Sequence, residues 1–124
     1  MRLLLDTHVV LSWLLGDRKL GGRAEQQVED ASNQLVVSAV VVWEVSIKRA
    51  LGKIQVPMSF VADLRASDAV MLPISIEHAA GVERLPQHHR DPFDRLLVSQ
   101  ALIEGATLVS RDEALRAYDV PVLW

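Results

Sequence analysis

Five short apolar runs are threaded between segments of helical pattern, and that alternation restricts the possible folds of this chain more than any other feature. Residues 2–5, 34–37, 70–72, 107–109 and 120–123 read as buried strands, too short to be helices that bury a face. Helix-compatible segments occupy 7–15, 23–31, 39–51, 57–67, 75–85, 91–104 and 112–118. Gly16, Gly52 and Gly105 stand where three of these helices should stop. Ser38 and Asp91 stand where two should be capped, and Pro92 takes the first helical position after Asp91. Residues 17–22 are turn-rich and 86–90 read as a loop. Strands separated by helices predict an α/β fold, a parallel sheet covered on both faces. With 124 residues and no repeat, low-complexity segment or linker, one domain over 1–124 is expected.

Half of the residues are hydrophobic, ample for a core and enough to leave apolar surface for an interface. The chain has no cysteine, which excludes disulfides and thiolate metal sites. No run approaches the roughly 18 apolar residues of a membrane span. Met1-Arg2-Leu3-Leu4-Leu5 could open a signal peptide, but Asp6 and His8 break the apolar region and no small-residue cleavage pattern follows. A soluble, cytoplasmic protein is expected. The net charge of -3 argues against phosphate binding, unless acidic residues hold a cation and reverse the local sign. Local basic groups exist at Lys48, Arg49 and Lys53, and at Arg84, His88, His89, Arg90 and Arg95, but such clusters are usually solvated faces.

Four acids sit in costly places. Asp6 ends Leu3-Leu4-Leu5, and Asp112 follows Thr107-Leu108-Val109 by two residues. Both therefore stand near the carboxyl ends of strands, where open parallel sheets bind their ligands, and they would share one crevice if their strands are close. Glu44 lies in Val40-Val41-Val42-Trp43-Glu44-Val45, beside Val40, Ile47 and Leu51 on a helical wheel. Asp94 shares an arc with Leu97, Val98 and Ala101, away from Arg95 and Ser99 on the polar side. A carboxylate against apolar surface is expensive unless neutralised, so a shared divalent cation explains all four together.

Each acid also has a simpler role open to it. Asp6 and Asp112 can cap the helices that follow them, and Asp94 can sit as a favourable charge near a helix N-terminus. Glu44 can pair with Lys48 at i,i+4 on a surface. The cap role accounts fully for Asp91. Carboxylate oxygens suit Mg²⁺ or Mn²⁺, as one or two ions. His88 and His89 are adjacent, do not share a helix face, and read as loop residues rather than ligands.

Leu5-Asp6-Thr7-His8, Val37-Ser38-Ala39 leading to Trp43-Glu44, His89-Arg90-Asp91-Pro92-Phe93-Asp94-Arg95-Leu96-Leu97 and Leu108-Val109-Ser110-Arg111-Asp112 occur in that order. Together they resemble a PIN-domain ribonuclease, and within that family the VapC-type toxins of type II toxin–antitoxin systems. The likeness reaches the closing Val120-Pro121-Val122-Leu123-Trp124. It implies a three-layer α/β/α sandwich with a central, mainly parallel five-stranded sheet. It implies a Mg²⁺- or Mn²⁺-dependent endoribonuclease that hydrolyses RNA with metal-activated water, leaving 5′-phosphate and 3′-hydroxyl ends. Asp6, Glu44, Asp94 and Asp112 are placed in the acidic metal cluster, with Thr7 and Ser110 as hydrogen-bonding support and Asp91 as a variant position beside it. Arg95 and Arg111 are candidate RNA-phosphate contacts, against the simpler reading of solvated arginines. The resemblance also implies a cognate antitoxin and a homodimer. Aromatic residues make up only 5% of the chain, so extensive base stacking is not expected. Two other readings stand beside this one. A haloacid-dehalogenase-type phosphohydrolase would need a second Asp where His8 stands, and a non-catalytic PIN-like module would act through its partner.

Overall fold

Three consecutive leucines that each lose all solvent contact define the centre of the molecule. Leu3, Leu4 and Leu5 lie in β1 (Arg2–Leu5). In this computed structural model, described over residues 1–16 and 20–124, β1 is the middle strand of a five-stranded sheet ordered β3-β2-β1-β4-β5. The other strands are β2 (Gln34–Ser38), β3 (Val70–Leu72), β4 (Thr107–Val109) and β5 (Val122–Leu123). Every neighbouring pair is parallel, with Leu4 opposite Val36 on one side and Leu108 on the other. Strands buried on both faces read as continuous apolar runs, which is why β1 shows no alternation.

The pleat sends successive side chains to opposite faces. Leu3, Leu5, Val37 and Val109 join one core with Val9 and Val10 of α1 (Thr7–Leu15), Ala24 and Val28 of α2 (Gly22–Glu29), and Phe60 and Leu64 of α4 (Phe60–Ala66). Leu4, Val36 and Leu108 join the other with Leu97, Val98 and Ala101 of α6 (Pro92–Glu104) and Leu115. Between them α3 (Ala39–Ala50) gives Val41 and Val45 to the first core and Val40 to the second. The expected three-layer α/β/α sandwich is formed, with a sheet that is wholly parallel. Among the described residues no helix is long and apolar enough to cross a membrane.

Most boundaries follow local chemistry. Gly16 and Gly105 take the left-handed conformation and end α1 and α6, and Ser38 accepts the Val40 N–H to start α3. The segment expected over 23–31 stops at Glu29, because the Asp30 carboxylate takes both the N–H and the hydroxyl of Ser32 in a turn. The helix expected over 57–67 begins only at Phe60, after a turn in which the Phe60 N–H reaches the Pro57 carbonyl. The segment 75–85 divides into α5 (Ile76–Gly81) and a 3₁₀ turn over Val82–Arg84, and 112–118 is a 3₁₀ helix over Glu113–Ala117. In 120–123 only Val122 and Leu123 are strand, although the Pro121 carbonyl still accepts the Leu108 N–H. Proline has no N–H to return. Residues 17–19 of the expected turn-rich stretch lie outside the described residues.

The expectation for the polar side of the last long helix is corrected. Arg95, Ser99 and Gln100 are all buried. A helical wheel sees one apolar arc, but α6 is also covered by α5, the 3₁₀ turn after it, and Tyr118. Its polar side chains are satisfied internally: Ser99 Oγ donates to the His78 carbonyl at 2.7 Å, and the Ser38 hydroxyl donates to Gln100 Oε1.

Candidate metal centre

Parallel pairing brings the carboxyl ends of β1 and β4 side by side. Leu5 lies opposite Val109, and the Asp6 N–H donates to the Val109 carbonyl at 3.1 Å. Asp6 and Ser110 therefore leave the same edge of the sheet as neighbours. Asp6 caps α1, its Oδ1 accepting the Val9 N–H at 2.9 Å. Asp112 caps the 3₁₀ helix, its Oδ1 accepting the Ala114 N–H at 3.0 Å. In each case the capping role takes one carboxylate oxygen and leaves the other. Ser110 supports both acids: its Oγ accepts the Asp112 N–H at 3.1 Å and also hydrogen-bonds Asp6.

Glu44 reaches the same edge from the second turn of α3. It is 5% exposed, so its pair with Lys48 is not the surface pair considered above. Thr7 Oγ1 donates to Glu44 Oε1 at 2.7 Å, while the Lys48 ammonium donates to Oε2. Trp43 meets Phe93 edge-on with ring centroids 4.8 Å apart, and these rings immediately precede Glu44 and Asp94. The contact ties α3 to the start of α6, where Asp94 stands at the third helical position. Asp91 is the cap there, its Oδ1 accepting the Phe93 N–H at 2.8 Å and the Asp94 N–H at 3.3 Å.

The electrostatics show how crowded the acids are. Burial, then repulsion from Asp91, Asp6 and Glu44, pushes the Asp94 carboxyl up to about 7 against the attraction of His89. Burial also raises Asp6, opposed by the Ser110 hydrogen bond and the Val9 N–H. Burial acts upward on Asp112 as well, but hydrogen bonds from His89 and the Ala114 N–H and the charge of His89 outweigh it and hold the group below its usual range. The hydrogen bond to Glu44 raises Lys48. A set of oxygen donors that cannot all be charged without a cation fits a hard divalent ion.

His89 was not expected in this cluster. Its Nε2 lies 3.0 Å from Asp112 Oδ2 and 3.3 Å from Asp94 Oδ2, and ligand atoms of the three residues all fall within 4.8 Å of one another. Glu44 and Asp6 meanwhile spend oxygens on Thr7, Lys48 and Val9. The adjacency of His88 and His89 hid this role. The pairing is tertiary, set by the loop over 86–90 folding back on α6, and no helical spacing encodes it.

Arg95 is a second correction. It is neither an RNA contact nor a solvated side chain, being 7% exposed. Nη1 donates to the Pro86 carbonyl at 2.9 Å and the Tyr118 hydroxyl at 3.2 Å, and Nη2 to the Val82 carbonyl at 3.1 Å. The guanidinium braces the segment that leads into His89. Arg111, beside Asp112, is exposed as expected.

Carboxylates gather past the central strands of a parallel α/β sheet, with a histidine against two of them, and this donor set could hold a metal ion. The sequence matches the PIN domain over residues 3–121. Over 121 residues it is 31% identical to Ribonuclease VapC22 of Mycobacterium tuberculosis (strain ATCC 25618 / H37Rv), an alignment covering 95% of this chain and 92% of that protein. The chain belongs to the PIN-domain family, in its VapC-type branch. Its fold is similar to VapBC2 from Rickettsia felis, solved bound to a DNA fragment from their promoter, with a TM-score of 0.73, 16% identity, and 100% of this chain and 99% of that chain covered. It is also similar to DNA-bound VapBC from Salmonella typhimurium, with a TM-score of 0.69, 14% identity, and coverage of 99% and 97%. At such identities these structures speak for the fold alone.

Proposed function

We propose that this chain is a Mg²⁺- or Mn²⁺-dependent endoribonuclease, the toxin of a type II toxin–antitoxin pair, acting in the cytoplasm as a single PIN-like domain. What supports the reading is the crowding of acids at one end of the sheet: burial and repulsion from Asp91, Asp6 and Glu44 push Asp94 up to about 7, and Asp112 lies with Asp94 against His89. Asp6, Glu44, Asp94 and Asp112 would hold one or two ions. A bound ion supplies Lewis acidity toward the phosphodiester and lowers the pKa of water. Thr7 orients Glu44 through its hydroxyl, and Ser110 orients Asp6 and the Asp112 backbone. Asp91 supports the site as the α6 cap, its Oδ1 accepting the Phe93 and Asp94 N–H groups. Lys48 pairs with Glu44, and its ammonium would lie beside the ion held there, where it could meet substrate phosphate. Arg111, exposed next to Asp112, is the remaining arginine placed to meet the RNA backbone.

An antitoxin and a second copy of the chain are the proposed protein partners. An apolar groove of about 630 Å³ between α3, α4 and β3, lined by Val42, Trp43, Val61, Leu64 and Met71, offers surface for such contacts. The decisive test is incubation of purified protein with RNA and Mn²⁺ or Mg²⁺, with sequencing of the ends formed. Cleavage that requires metal and is lost in Asp6→Asn is expected. Cleavage that survives both EDTA and that substitution would refute the mechanism. A chain that binds no Mn²⁺ in calorimetry would be a binding module instead.

A further inference from the structure

We infer that His89 is a positioning residue of the metal centre, holding Asp112 beside Asp94 through its Nε2–H rather than coordinating the ion itself. The argument starts from the other ring nitrogen. The Asp91 backbone N–H donates to His89 Nδ1 at 3.0 Å. A nitrogen that accepts a hydrogen bond carries no proton, so in the neutral ring the proton is on Nε2. That Nε2–H donates to Asp112 Oδ2 at 3.0 Å, and the same nitrogen lies 3.3 Å from Asp94 Oδ2 on another element. To bind metal through Nε2, the ring would have to move its proton to Nδ1 and lose the bond from Asp91, or become an anion. The geometry instead makes His89 the outer hydrogen-bond partner that orients a ligand.

The rest of the loop is built to keep the ring there. Arg95, one residue after Asp94 on α6, fixes the Val82 and Pro86 carbonyls just upstream. His88 packs edge-on against Tyr118 with centroids 5.1 Å apart, and the Tyr118 hydroxyl accepts from Arg95. The N–H holds one oxygen of Asp112 while the ring stands against Asp94, so the imidazole sits between two acids of like charge. Asp91 acquires a role here that needs no contact with metal: its carboxylate caps α6 and its backbone N–H sets the tautomer of His89.

The inference rests on the proposed metal site, and its test separates the two. In metal-free protein, ¹⁵N NMR of His89 at pH 8 should show the Nε2-protonated tautomer. Calorimetric titration with Mn²⁺ should show binding to the unsubstituted protein, weakened about 10- to 100-fold in His89→Ala, as for outer-shell partners generally. His89→Gln, whose carboxamide can still donate, should recover part of that loss. Pulsed EPR of the Mn²⁺ form should show no directly bound imidazole nitrogen. A directly bound nitrogen, an Nδ1-protonated ring, or equal affinities in all three proteins would overturn the positioning role while leaving the metal site standing. Absence of Mn²⁺ binding to the unsubstituted protein would overturn the metal site and this inference with it.

Discussion

Asp94→Asn is expected to stabilise the metal-free protein while removing its use of metal. Folding raises this carboxyl from 3.8 to about 7, so the folded state holds the proton more tightly than the unfolded chain does. Below the unfolded value both states are protonated and folding carries no penalty. The penalty grows as pH rises from 3.8 toward about 7 and is constant above that. A shift of this size corresponds to about 4 kcal/mol at pH 8. The side chain keeps 22% of its exposure, and the part of the shift that follows burial is repulsion that the neighbouring acids can relax. A net gain of about 2 kcal/mol is therefore expected for the neutral carboxamide, less about 0.5 kcal/mol for losing a favourable charge at the helix N-terminus. Urea unfolding in EDTA at pH 8 and pH 5 measures it, and at pH 5 less than half of the gain should remain. Adding Mn²⁺ should reverse the order, because binding stabilises only the protein that can bind. An Asn variant no more stable at pH 8, or a gain equal at both pH values, would show that Asp94 is not held against a charge penalty.

Further substitutions separate structure from chemistry. Asp6→Asn should keep the α1 cap and a near-normal melting temperature while losing RNA cleavage, whereas Asp6→Ala should lose cleavage and also about 1 kcal/mol in thermal unfolding. Arg95→Met should cost about 2–4 kcal/mol in denaturant unfolding, because the Val82 and Pro86 carbonyls and the Tyr118 hydroxyl lose their donor; an unchanged midpoint would return Arg95 to the surface. Gly81→Ala should destabilise by about 1–3 kcal/mol, since its Cβ would lie 2.5 Å from Ser99 Oγ, and Ser99→Ala in the same chain should recover part of that in a double-mutant cycle.

The layered architecture was legible because it rests on local signals. Short apolar runs, stop glycines, and the caps at Ser38 and Asp91 all act within a few residues of where they stand. The acids at Asp6 and Asp112 were legible as strand-end residues, but their nearness depended on strand order, which only the pairing of β1 with β4 supplies. Arg95 was misread because its acceptors come from carbonyls around Val82 and Pro86, which no wheel of α6 displays. His89 was missed for the same reason: the N–H that fixes its tautomer and the carboxylates it faces belong to loop and tertiary geometry. Glu44 shows how two readings can both describe one residue, since it pairs with Lys48 and is still buried among the acids.

The pairing of Leu4 with Leu108 at the middle of the sheet joins strands far apart in sequence. On a ribosome, β1, β2 and α3 emerge before β4, carrying Asp6 and Glu44, and β1 waits for its second neighbour until β4 follows. Contacts so distant in sequence form slowly, because the intervening chain must be closed into a loop first. A chain that stops short of β4, or is clipped before it, keeps Asp6, Glu44 and Asp94 but lacks Asp112 and the strand that leads to it. The four acids share one edge only when the sheet is closed.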